Sequence, residues 1–271
     1  MNHLRLYGVP LSQPVRSVAW TLLQLELPFT VELTVPGATS QRGTRHEHYT
    51  SKTPLRAAHV PLLEYNDDKS QEEALVRITE SPAILSHICE RQPPQHTLYP
   101  APGTADKAQV DSYLHWHHGN TRCFTKPFAA VIRNDLNATV TAQDKARVHS
   151  VLQTLDTGWL GSSSFVGGLT QPTIADILAY GEVVQLVKTN LLLPWEDSDY
   201  PRLQTWMQHM AELPYHDEAH VALTVLGDLT RNDDDDDAEE IRQPLEKRLA
   251  AATKAGLQAW QEAQSKYTTR L

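Results

Sequence analysis

Only two cysteines occur among the 271 residues, Cys89 and Cys123. They stand far apart, with neither a Cys-x-x-Cys pair nor zinc-like spacing. That excludes a disulfide framework and a thiolate metal cage, and it points to a reducing compartment with two buried thiols. No apolar run approaches the ~20 residues that span a bilayer. The first residues carry no basic flank followed by an apolar stretch, so they do not read as a secretion signal, and a cytoplasmic protein is expected. Leu4, Leu6 and Val9 instead suggest that structure begins almost at once. Base is not in excess either. Seven of the 33 acidic residues lie in 232–240, leaving 26 acids against 24 bases elsewhere. A nearly neutral body with one acidic tract gives no footprint for nucleic acid. What is there is the composition of a soluble globular chain, 40% hydrophobic and 21% charged, long enough for two domains.

Residues 3–8 read as a short strand. Ser12-Gln13-Pro14 then signals a helix start, since the fixed φ of proline suits a first turn. Val15, Val18, Ala19, Leu22, Leu23 and Leu25 supply an apolar helical face, and Phe29–Leu33 resembles a second strand. Strand, helix, strand within this length is a βαβ unit. Val60–Tyr65 and Leu75–Ile78 read as two further strands joined by a polar hairpin turn, Asn66–Glu73. Glu80-Ser81-Pro82 opens another helix, with Ser81 as its N-cap. The pattern βαβ followed by ββα is a thioredoxin-like arrangement, expected over residues 1–91. Four prolines punctuate 92–103, the expected linker. Beyond it only helical patterns follow, about 104–133, 142–160, 173–191, 201–212 and 215–229, so an all-α domain is expected over 104–229. Residues 230–271 read as an acidic hinge, Asp233–Asp237, followed by an amphipathic helix carrying Ile241, Leu245, Leu249, Ala252, Leu257 and Trp260. The class is α+β.

The segment Leu11-Ser12-Gln13-Pro14-Val15-Arg16-Ser17, after a first strand, resembles the catalytic loop of theta-class, serine-type glutathione transferases. Val60-Pro61, Glu80-Ser81, Asp111-Ser112-Tyr113-Leu114-His115-Trp116, Thr173-Ile174-Ala175-Asp176 and Asp217-Glu218-Ala219-His220 resemble further segments of that family, in order, across roughly 3–229. The resemblance implies a cytosolic, homodimeric enzyme that uses glutathione as co-substrate. Its first domain would bind the tripeptide, and its helical domain a hydrophobic electrophile such as a halide, epoxide or activated alkene.

Under that resemblance Ser12 activates the thiol. A free thiol titrates near ~8.5 and reacts as the thiolate. Lowering this by about two units asks for ~2.7 kcal/mol of preference for the anion. A hydroxyl hydrogen bond to a charged acceptor supplies ~1.5–3 kcal/mol, and a helix N-terminus adds ~0.3–1 kcal/mol. The plainer role for Ser12 is that of a helix cap. Tyr7 ranks second as the hydroxyl donor and otherwise packs. Gln13 joins the glutathione site by the same resemblance. Val60-Pro61 matches the family's cis-proline site, where the backbone before proline meets the cysteinyl part; the alternative is a trans proline opening an edge strand. Glu80 would face the γ-glutamyl ammonium, and Ser81 with the helix amides its carboxylate. The glycyl carboxylate needs a cation, and residues 41–59 offer Arg42, Arg45, Lys52, Arg56, His46, His48 and His59 against one acid, Glu47. By family position His46 or His48 is one candidate, and His59 stands where a lysine is usual. Arg122, six residues on from Trp116, would face the cleft; otherwise it is a surface arginine.

Thr173 and Asp176 form a capping-box pattern, which is structural. Asp111, His115 and His118 share one helix face, but no Cys/His cluster completes a metal site and no metal is expected. Against the enzyme stands a second reading, a glutathione-transferase-like interaction module of a larger complex. The combination of Ser12, Glu80 and Ser81 favours the enzyme. The C-terminal helix has three possible places: on the helical domain, over the electrophile pocket as a lid, or on a partner protein.

Overall fold

Leu4 and Leu6 alternate with Arg5 and Tyr7 along β1 (Asn2–Gly8), the first strand of a computed structural model that describes residues 1–67, 74–93, 98–133, 139–191, 199–230 and 244–268. Successive side chains of a strand point to opposite faces, so Leu4 and Leu6 enter the core while Tyr7 lies across the sheet. Helix α1 (Gln13–Gln24) crosses back to β2 (Phe29–Leu33), which pairs with β1 in parallel, Leu6 opposite Val31. A four-residue helix, α2 (Glu47–Thr50), leads to the antiparallel pair β3 (Leu62–Asp67) and β4 (Ala74–Thr79), and β3 joins β1. The sheet order is β2-β1-β3-β4, the thioredoxin-like arrangement expected. Of the expected hairpin turn, 68–73 lie outside the described residues. Helix α3 (Ser81–Glu90) completes this layer. Its cap position is Glu80, not Ser81, and Glu80 has a positive φ of 69° with ψ 113°.

The helical part follows. Helix α4 (Ala105–Gly119) does not run on to 133 as the periodicity predicts. It breaks at Gly119-Asn120, two weak helix formers, where the Asn120 side-chain amide takes the Trp116 carbonyl at 2.9 Å. Side chains that compete for helical carbonyls favour ends over interiors. A short 3₁₀ turn, Thr121–Phe124, resets the direction before α5 (Thr125–Ile132). Helix α6 (Ala142–Thr154) widens into a π turn, Leu155–Leu160, where buried Asp156 accepts the Arg202 and Leu203 amides, both at 2.8 Å. Helix α7 (Ile174–Lys188) is buried from Ile174 through Leu186. Against it pack α8 (Pro201–Ala211) and α9 (His216–Leu226), and α10 (Leu245–Thr268) packs along α9. No helix among the described residues is long and apolar enough to cross a membrane. The acidic tract Asp233–Asp237 and Ile241 lie outside the described residues.

Cys89 and Cys123 are free thiols and half-buried, less enclosed than expected. Burial pushes them up to about 12 and about 11, which removes both as thiolate nucleophiles near neutrality.

The seam between the two layers is aromatic. Trp20 of α1 packs between Tyr180 of α7 and the stacked rings of His216 and His220 on α9. Tyr180 Oη meets His216 Nε2 at 2.8 Å, and His220 Nδ1 donates to the His216 carbonyl at 2.8 Å. Burial holds His220 well below the ordinary imidazole range, and His117 of α4, equally enclosed, is lowered to about 3. Both are neutral in the fold and take a proton only on unfolding. The unfolded chain therefore binds more protons once pH falls below about 6.5, and stability falls with it. Each of the two should cost roughly 1 kcal/mol between about pH 7 and about pH 5.5. Urea melts across that range measure the loss, and a flat profile would reject neutral burial of these rings.

Candidate active site

Ser12 ends the loop that leaves β1. Its amide donates to the Val9 carbonyl at 3.0 Å, and its own carbonyl accepts the Arg16 amide at 2.9 Å. It holds the cap position of α1, with extended backbone and Pro14 in the first turn, yet its hydroxyl makes no capping hydrogen bond. The plain cap role is thus not the one its side chain fulfils. Ser12 lines a cleft of about 750 Å³ between the sheet layer and the helices.

Underneath, Arg16 fixes the loop. Its guanidinium is wholly buried and donates to the carbonyls of Pro10 (3.3 Å) and Leu11 (2.8 Å), and to that of Gly181 in α7 (3.0 Å). Burial lowers it to about 9, with the negative charge of Glu182 acting the other way, so it stays a cation near neutrality. Releasing those carbonyls would strand a buried charge, which costs several kcal/mol. In the sequence Arg16 is merely one residue of the Ser12 motif; only the packing reveals what it grips.

Val60–Pro61 is a cis peptide, as the resemblance implies, and lines the same cleft. So do Glu80 and Ser81 at the start of α3. Two helix N-termini, those of α1 and α3, therefore meet one cavity, and each presents about half a positive charge to an anion. Glu80 occupies a backbone region that a non-glycine residue rarely adopts, at a cost of about 1–3 kcal/mol. Its carboxylate is exposed and 3.3 Å from His118 Nε2 of α4. His118, taken in the sequence as one of three residues on a possible metal face, thus belongs to the cleft. Asp111 of that face accepts instead from Tyr99 Oη at 2.5 Å and Lys107 Nζ at 3.0 Å. Among the described residues no group of three or more His, Cys, Asp or Glu could hold a metal ion.

The cationic loop sorts itself by its path. His59 lines the cleft, its carbonyl accepting the Tyr49 hydroxyl. His46 does not line it, because it caps α2, its Nδ1 accepting the His48 amide at 3.1 Å. Its neighbour Arg45 stands on the cleft wall instead. His48 and Arg42 face a second hollow beside Tyr7 and Tyr49. Nothing in the run of cations distinguishes these positions until the loop is folded. Gln13 reaches the cleft wall, but its amide donates inward to Gln185 of α7.

Tyr7 is placed elsewhere. Its hydroxyl donates to Glu64 Oε1 at 3.2 Å, on the face of the sheet where Arg5 (3.3 Å) and Arg77 (2.8 Å) also meet Glu64. Burial, reinforced by Glu64, pushes Tyr7 up to about 12.

Arg122 sits on the 3₁₀ turn after α4, at the cleft, its guanidinium paired with the buried carboxylate of Glu182. Glu182 also accepts from Thr125 at 3.3 Å and Gln185 at 3.1 Å. The far wall is apolar: Leu33 at the end of β2, Val35 just beyond it, Phe128 and Ile132 of α5, and Leu249 of α10, with Thr253 and Arg133 at its edge. Of these, only Leu249 carried a signal in the sequence, as part of the C-terminal amphipathic stripe offered as a lid; Leu33, Val35, Phe128 and Ile132 read as ordinary strand, loop and helix filling.

The comparisons agree with this architecture. The model of the glutathione S-transferase N-terminal domain matches residues 6–96, and that of the glutathione S-transferase C-terminal domain matches 138–209. Glutathione S-transferase theta-2 of Mus musculus is 29% identical over 236 residues, covering 83% of this chain and 88% of its own length. Glutathione S-transferase T3 of Arabidopsis thaliana is 28% identical over 163 residues, 55% of this chain. The chain spans only 27% of the length of that relative, and 64% and 37% of the T1 and T2 proteins of the same plant. Human glutathione transferase theta-2, solved in complex with glutathione and an unknown ligand, superposes with a TM-score of 0.67. That match covers 97% of this chain and 98% of the other at 23% identity, which speaks for the fold. The two domain models describe one family and together take in more than half of the chain, in the order that the sheet layer and the helices follow. The chain belongs to the glutathione S-transferase family.

Proposed function

We propose that this protein is a glutathione transferase in which the Ser12 hydroxyl donates a hydrogen bond to the glutathione sulfur and holds it as the thiolate. The observation that carries the reading is the uncapped side chain of Ser12 at the start of α1, a residue lining the cleft that Val60–Pro61, Glu80 and Ser81 also line. The α-carboxylate of the γ-glutamyl end suits Ser81 and the first amides of α3, and its ammonium suits Glu80, which His118 steadies. Arg45 and His59 are the cations offered to the glycyl carboxylate, in place of His46. The apolar wall of Leu33, Phe128, Ile132 and Leu249 suits a hydrophobic electrophile, and Arg122 stands where departing negative charge would need a partner. Pairing into a homodimer belongs to the same proposal, carried by the resemblance.

Replacing Ser12 by alanine tests it. The thiol of bound glutathione, followed by the ultraviolet absorbance of its thiolate, should titrate about one to two units higher, the worth of one hydrogen bond to a charged group. Conjugation to para-nitrobenzyl chloride near neutrality should fall roughly 10- to 100-fold, with glutathione affinity within about twofold. A variant whose thiol titrates like the parent's would take Ser12 out of the mechanism.

A further inference from the structure

We propose that Gly256, deep in the C-terminal helix, is a positioning residue for Ser12. An ideal Cβ built on Gly256 would lie 2.5 Å from Cβ and 2.9 Å from Cγ of Pro10, and 3.2 Å from Cβ of Ala222 in α9. Carbon atoms pack best at about 3.5–4.0 Å, so the Pro10 ring occupies the very space that any side chain at 256 would need. Glycine inside a helix is about 1 kcal/mol worse than alanine. Here it lets α10 lie directly on the loop that carries Ser12, two residues beyond Pro10.

Neither side of this contact yields easily. The loop is backed by the Arg16 guanidinium, which holds the Pro10 and Leu11 carbonyls from within. Beyond Gly256, α10 is pinned to the sheet layer: Gln264 Oε1 accepts the Phe29 amide at 2.7 Å, the Tyr267 hydroxyl donates to the Leu27 carbonyl at 3.3 Å, and buried Trp260 packs on Phe29 with ring centroids 6.3 Å apart. Added volume at 256 must therefore push on Pro10 and tilt the turn that aims Ser12. Leu249 and Thr253, two turns and one turn earlier on the same helix face, line the cleft. The helix that meets the electrophile is thus the one that seats the serine.

The inference rests on the reading of Ser12 above. Gly256→Ala should raise the thiol pKa of bound glutathione by roughly one unit, a tenfold loss of thiolate near neutrality, with glutathione affinity changed less than about twofold. A merely structural glycine would alter the melting temperature and leave the titration where it was. Gln264→Ala, which loosens the pinned end without adding volume, should move the titration the same way by less, and it serves if Gly256→Ala does not fold. In a Ser12→Ala background Gly256→Ala should add nothing; additive shifts would show that Gly256 acts elsewhere and overturn the inference. If Ser12→Ala raises the thiol pKa but neither Gly256→Ala nor Gln264→Ala does, the inference alone falls. If Ser12→Ala is itself silent, the Ser12 reading falls and this one with it.

Discussion

Replacing Asp176 by alanine is expected to cost about 4 kcal/mol or more and to lower the melting temperature by about 10 °C, the larger part from stranded donors. The carboxylate is completely buried at the start of α7. It accepts the Thr173 amide (2.8 Å) and hydroxyl (3.1 Å), the Val166 amide (2.8 Å) and the Trp206 indole N–H (2.9 Å). Burial pushes its carboxyl up to about 6, although all four donors favour the anion. Two of them come from outside the capping box, so the residue ties the loop before α7 and helix α8 to the central helix. A lost N-cap alone costs about 0.5–2 kcal/mol, and each donor left unpaired in the interior adds ~1–3 kcal/mol. Thermal melts of Asp176→Ala and Asp176→Asn measure it. A shift of only a degree or two in the alanine variant would mean that water or a rearranged loop satisfies these donors.

Truncation after Thr230 is expected to change stability and kinetics together. Helix α10 runs along α9 and reaches Phe29 and Leu27 in the sheet layer, burying Ala252, Trp260, Ala263 and Tyr267. Arg248 fastens its start, donating to the carbonyls of Leu226 and Asp228. Each large apolar side chain returned to water costs about 1.5–3 kcal/mol, so the loss should reach roughly 5 kcal/mol over Trp260, Tyr267 and the surfaces they cover. Leu249 and Thr253 leave the cleft wall at the same time, which should raise the Michaelis constant for para-nitrobenzyl chloride severalfold. Calorimetry and steady-state kinetics on the truncated chain decide it. A lid without packing would leave the melting temperature near the parent's; packing without a wall would leave the Michaelis constant alone. Helix α10 packs on α9 and α1 and also lines the cleft with Leu249 and Thr253, more than the single placement on the helical domain that the amphipathic pattern most simply suggests.

Much of the first layer could be read without coordinates because its signals are local. Alternation over a few residues marks β1, the short run Val60–Tyr65 marks β3, and Ser12-Gln13-Pro14 marks the start of α1. Thr173 and Asp176 predict their capping box three residues apart, and the box forms; the Thr173 hydroxyl also accepts the Ala175 amide at 3.2 Å. The 3.6-residue period likewise predicts most helices but not where α4 breaks. There an asparagine side chain competes with the backbone, an effect the apolar pattern does not carry.

What the sequence by itself determined is therefore the order of elements, the family resemblance and the identity of the serine at the head of α1. What only the tertiary structure decided is which groups meet. A helix period says nothing of the loop path that brings Arg45 rather than His46 to the cleft, or of the buried Glu182 that engages Arg122 from sixty residues away. Nor does it mark Gly256 as the place where the Pro10 ring sits. Such contacts join residues distant in the chain, and their energies depend on desolvation and close packing, which exist only once the chain has closed around them.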